Sequence, residues 1–125
     1  MHLFSFEKLE VWKEAILLSK NIYVLTEKFP NNEKFGLINQ LRRASNSISA
    51  NLAEGTSRIT NKDKAHFTTI AYSSTMEVLN HLILSKELKF INEVNYLEIR
   101  KQLSKIANML NALRKSQLHS EPINN

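Results

Sequence analysis

Apolar residues recur along this chain at three- and four-residue intervals, the pattern of amphipathic helices. The densest case is Leu37, Leu41, Ala44, Ile48, Leu52 and Gly55, which share one helical face, with Ser45, Ser47 and Asn51 on or beside it. Mid-helix Ser and Asn lower helix propensity. Their position next to a core stripe therefore predicts hydrogen bonding inside a tightly packed assembly. Ser5 is placed to cap a first helix from about Phe6 to Lys28, which Phe29-Pro30-Asn31-Asn32 ends. A second helix runs from about Glu33 to Ala53 and stops at Gly55, read as a left-handed cap. Thr60-x-x-Asp63 reads as a capping box for a third helix reaching about Leu88, and Asn92 opens a fourth that ends near Ser116. The links are short, so sequential helices must be antiparallel neighbours. The fold class predicted is all-α: an up-down-up-down antiparallel four-helix bundle over residues 1–116, with 117–125 a flexible C-terminal tail.

On the fourth helix, Ile99, Leu103, Ile106, Leu110 and Leu113 make one stripe, and Lys101, Lys105 and Lys115 lie opposite. The first and third helices are apolar on two sides. Leu9, Trp12, Ile16, Ser19 and Tyr23 form the predicted inward stripe of the first, while Val11, Leu18 and Leu25 repeat every seven residues elsewhere. In the third, Phe67, Ala71, Ser74, Val78 and Leu82 face inward and Met76, Leu79 and Ile83 do not. A four-helix bundle has no central helix to be covered all round. Val11, Leu18, Leu25, Met76, Leu79 and Ile83 are therefore expected at the contact between subunits of a homo-oligomer.

Two glycines and two prolines in 125 residues permit long uninterrupted helices, and the absence of cysteine excludes disulfides and thiolate chemistry. With no leader pattern and no long charge-free apolar run, the expectation is a cytoplasmic protein without a membrane partner. The 17 Lys and Arg against 12 Asp and Glu give a net charge of +5, which favours an acidic partner. Candidate phosphate contacts are Arg42 and Arg43, flanking the stripe of the second helix; Arg58, Lys62 and Lys64, around the following link; and Lys101, Lys105 and Lys115. Such contacts give salt-sensitive binding to RNA or DNA with little sequence preference. Trp12, Phe67 and Tyr23 sit at core-facing spacings, so no exposed stacking platform is expected. The alternative is a protein-interaction scaffold whose basic surface is incidental.

Catalytic chemistry has two candidates. Glu77 and His81 are one helical turn apart, but a di-iron site needs a second Glu-x-x-His pair and zinc needs three or four ligands, so neither metal nor cofactor is expected. Arg114 to His119 carries the Arg-x4-His spacing of HEPN-type ribonucleases, in which the cation stabilises charge at the phosphate while imidazole moves a proton. The competing reading is a basic helix end meeting its own dipole. No phosphate loop or nucleophile constellation is recognisable, and a non-enzymatic protein is expected.

The block from Gln40 to Gly55, together with Phe6-x-x-Leu9-x-Val11-Trp12-x-x-Ala15, resembles the four-helix-bundle proteins named after the 23S rRNA intervening sequences that encode some of them. The resemblance runs from about Phe4 to about Leu113. Accessory variability determinant proteins of diversity-generating retroelements are similar in architecture. That similarity implies a ring-like, pentameric homo-oligomer that binds nucleic acid, at the level of fold analogy.

Overall fold

Local signals set where each helix begins. The computed structural model describes residues 1–119. A 3₁₀ turn at Ser5–Lys8 is closed by Glu7, whose carboxylate accepts from the Phe4 amide at 3.0 Å, and α1 follows over Glu10–Thr26. The helix starts later than Phe6 because Leu9 is extended (φ −74°, ψ 123°). A 3₁₀ turn at Asn31–Glu33 and a turn at Lys34–Ile38, kinked at Gly36, precede α2 over Asn39–Thr56. Thr60 Oγ1 accepts from Asp63 N at 3.1 Å and opens α3, Asn61–Glu87; Asn92 Oδ1 accepts from Asn95 N at 2.8 Å and opens α4, Glu93–His119. Residues 117–119 of the expected tail are thus helical, and the rest of it lies outside the described residues.

The described residues are all-α, four helices and no strand. Cross-helix pairs advance in opposite directions: Tyr23 with Asn46 and Thr26 with Arg42, Ser47 with Ser74 and Gly55 with Phe67, Thr69 with Arg114 and Thr68 with Gln117, Glu14 with Lys105 and Asn21 with Gln102. Neighbours are therefore antiparallel, and the circuit closes between α1 and α4. One end of the bundle, the terminal end, gathers the start of α1, the α2–α3 link and the end of α4. The other, the double-link end, gathers the remaining two links. No helix is long and apolar enough to cross a membrane among the described residues.

Leu18, Ile22, Leu41, Ile48, Val78, Leu82, Leu103, Ile106 and Leu110 fill the core. This corrects half of the expected subunit contact: Val11, Leu18 and Leu25 are 4%, 0% and 8% exposed within a single chain. Their seven-residue repeat is the inward row of α1, which also buries Ala15, Ser19, Ile22 and Thr26 to cover both neighbouring helices. Of the stripe predicted to face inward, only Ser19 is buried; Leu9, Trp12 and Ile16 are half-buried on the flank and Tyr23 is 39% exposed. On α3 the expected inward row holds for Ala71, Ser74, Val78 and Leu82, which are buried, while Phe67 is half-buried. Met76 and Ile83 are exposed at 36% and 37%, and Leu79 packs half-buried against the core.

Gly55 is not a left-handed cap, because neither glycine has positive φ and α2 continues to Thr56. It serves close packing instead: a Cβ there would sit 2.9 Å from Phe67 Cβ on α3. The left-handed cap falls on Lys89 (φ 64°) after α3. Lys89 N donates to Lys86 O and Phe90 N to Ser85 O, both at 2.9 Å, the pair of bonds that defines a Schellman motif.

Candidate nucleic-acid interface

The polar seam beside the core stripe of α2 draws α3 in close. Ser47 and Ser74 hydroxyls are 2.9 Å apart, and Asn51 Nδ2 donates to Ser47 O at 2.8 Å and to its hydroxyl at 3.0 Å. With Gly55 against Phe67, the two helices meet tightly where the link turns. Arg58 consequently lies over the Phe67 ring, 4.6 Å from its centroid, with Glu54 at 3.9 Å. Lys62 and Lys64 follow in the first turns of α3, at the positive end of its dipole.

Two further cations arrive from α4. Lys62 precedes Thr69 by seven residues and shares its face, and Thr69 Oγ1 accepts from Arg114 Nε at 2.9 Å. Gln117 Oε1 also accepts from Thr68 Oγ1 at 2.7 Å, so the last turns of α4 dock along the first turns of α3. Arg114 and Lys115 come within about 10 Å of Lys62 along the bundle axis. Five cations, Arg58, Lys62, Lys64, Arg114 and Lys115, thus flank the start of α3 on both sides. Glu54, in the last turn of α2, and Asp63, in the first turn of α3, are the acidic residues on either side of that link.

The remaining candidates lie elsewhere. Arg42 is structural: its Nε donates to Thr26 Oγ1 at 2.9 Å, its Nη2 reaches Tyr23 O at 3.4 Å, and its guanidinium covers the Tyr23 ring at 4.5 Å. It satisfies the C-terminal turn of α1 and is not a free phosphate contact. Arg43 is exposed beside a shallow groove of about 370 Å³ lined by Asn39, Gln40, Ser47 and Glu77. Lys105 is paired with Glu14 at 3.4 Å. Lys101 is exposed on the outer face of α4, about 21 Å along the helix from Lys115. The eight predicted contacts therefore do not form one surface.

Neither catalytic candidate converges. Arg114 and His119 both lie within α4, where a five-residue offset turns side chains about 140° apart. Glu77 Oε2 lies 3.4 Å from His81 Nε2, which is buried without a hydrogen-bond partner. No group of three or more potential metal ligands occurs among the described residues.

Sequence reasoning missed two features. Arg114 joins the phosphate candidates only because Thr69 fixes it against α3. Phe4 is 62% exposed and stacks on Phe6, so an aromatic surface exists that the core-facing spacings of Trp12, Phe67 and Tyr23 did not announce.

Fold and surface together define a small, basic, antiparallel four-helix-bundle protein. The model of the 23S rRNA-intervening sequence protein family matches residues 7–112, and the chain belongs to that family. A solved protein with unknown function from the S23 ribosomal protein family of Bacteroides thetaiotaomicron is 24% identical over 84% of this chain and 95% of that one, with a TM-score of 0.78, a likeness of fold. No curated protein matches the sequence.

Proposed function

We propose that this protein binds nucleic acid, without catalysing a reaction on it, through phosphate contacts at the terminal end of the bundle. The observation that carries this reading is the gathering of five cations at one end of the bundle, Arg58 and Lys64 on one side of the start of α3 and Lys62, Arg114 and Lys115 on the other. Phosphate contacts of this type supply affinity and register but little sequence selection. Arg43 and Lys101 extend the positive surface outside this cluster.

Homo-oligomerisation is part of the same proposal. Met76, Ile83 and Leu84 of α3, Leu88 just after it, and Val94 and Leu97 of α4 are exposed apolar residues, at 36–65%. The family resemblance makes a five-membered ring the expected arrangement. A ring repeats the basic cluster, so weak phosphate contacts combine through multivalency.

Fluorescence anisotropy with labelled RNA, single-stranded DNA and duplex DNA tests the reading. Binding that weakens linearly in log affinity against log salt supports it. Absence of binding to all three at low ionic strength refutes it and leaves the protein-scaffold alternative. Light scattering tests assembly separately, and Ile83→Glu is expected to lower the mass without loss of helicity.

A further inference from the structure

The terminal end also carries an ordered aromatic surface. Phe4 is pinned at both backbone groups: its N–H donates to Glu7 Oε1 at 3.0 Å and its carbonyl accepts from Glu7 N at 3.1 Å. Its ring lies nearly parallel to Phe6, 9° between planes and 6.3 Å between centroids. Phe6 in turn meets Trp12 edge-on at 5.2 Å, and both are half-buried. His2 touches Phe4 edge-on at 5.4 Å. One side of the Phe4 ring is therefore backed by a packed aromatic stack, while 62% of the residue stays in solvent. An aromatic face backed in this way and open to solvent is available for stacking.

Its neighbourhood is basic. Counting along α1 and α2 from the pairs Tyr23–Asn46 and Thr26–Arg42 sets Trp12 opposite Thr56, two residues before Arg58. The Ser5–Lys8 turn that carries Phe6 packs against α2, so the aromatic stack and Arg58 lie at the same end of the bundle. A ligand touching both needs a flat apolar face beside regularly spaced anions. In a duplex the base faces are stacked on one another, whereas an unpaired strand presents them.

We infer that the terminal end is a site for single-stranded nucleic acid, with an unpaired base stacked on Phe4 and the adjoining phosphates on Arg58 and Lys64. This inference rests on the nucleic-acid binding proposed above and adds strandedness and a stacking residue. Stacking is tolerant of base identity, so the preference is for unpaired strands rather than for a sequence. The edge of His2 and the half-buried Phe6 keep Phe4 from rotating away, which lowers the ordering needed on binding.

The test measures labelled oligothymidylate and a DNA duplex of equal length against the full chain and three variants, Phe4→Leu, Phe4→Ala and Phe4→Trp. Leu keeps the apolar bulk and loses the aromatic face; Trp keeps the face. We expect Phe4→Ala and Phe4→Leu to weaken single-strand binding by about 5- to 100-fold, Phe4→Trp to retain it, and duplex binding to be unchanged in all three. Circular dichroism and light scattering confirm that the variants keep helicity and mass. Equal losses on both ligands, an unaffected single-strand affinity, or a change of mass instead of affinity would each overturn the stacking role while leaving phosphate binding intact. If the unmodified protein binds neither ligand, the proposed function itself fails. If it binds both and the salt dependence persists with Phe4→Ala showing no loss, only this inference fails.

Discussion

At the double-link end, Phe29 and Phe90 pack ring against ring at 5.5 Å with Phe29 only 4% exposed, and Lys86 is both paired with Glu93 at 3.2 Å and seated over the Tyr96 ring. At the terminal end, Phe4 leaves most of its surface in water, and Lys62 and Lys115 point outward from helices that Arg114 and Gln117 hold together. The same residue types stabilise the chain at one end and are displayed at the other. Aromatic and cationic side chains are therefore informative about function only when their partners are known. Lys86 and Lys62 look alike in sequence and differ in what they touch.

The contrast predicts unequal responses to the same substitution. Phe29→Ala at the closed end removes a buried ring and should lower stability by about 3–5 kcal/mol, seen as a large fall in the thermal midpoint. Gly55→Ala should cost about 1–3 kcal/mol even though Ala is the better helix former, because the new Cβ meets Phe67 Cβ rather than a flexible side-chain end. A midpoint at or above that of the unmodified protein would show that α3 can move away. Lys89→Gly should raise stability by about 1 kcal/mol, since a glycine adopts the left-handed position after α3 without strain. Phe4→Ala, at the displayed end, should leave stability within about 0.5 kcal/mol. An equal loss from Phe4→Ala and Phe29→Ala in chemical denaturation would erase the distinction between the two ends.

The helices were legible because apolar period and breakers agree, although Ser5 does not cap the first helix: it lies inside the 3₁₀ turn, and α1 starts after Leu9 without a side-chain cap. Thr60 and Asn92 cap as read, and the stripe from Leu37 to Gly55 is buried as read. The first helix was misjudged because periodicity identifies apolar rows without saying which row is innermost. Trp12, Ile16 and Tyr23 are bulky but flank the core, while Val11, Leu18 and Leu25 occupy its centre. Gly55 was misread for a related reason: a glycine near a helix end serves a cap or a close approach, and only the distance to Phe67 separates them. Charges were the least legible. Nothing in the sequence distinguishes Arg42, consumed by Thr26 and Tyr23 of α1, from Lys62, or shows that Lys105 meets Glu14 across 91 positions. Phe4 escaped notice because it lies before the first periodic stripe and is ordered by the Glu7 carboxylate rather than by burial.

The most direct test of the account is the salt dependence of single-strand affinity in two variants. The double variant Lys62→Gln with Lys115→Gln removes two outward cations of the terminal end, while Lys105→Gln removes a cation already held by Glu14. The account predicts that the double variant flattens the slope of log affinity against log salt by about 1.4, at roughly 0.7 per lost phosphate contact on a single strand, and that Lys105→Gln leaves it unchanged. Equal flattening in both, or a slope unmoved by the double variant, would contradict the assignment of binding to the terminal end.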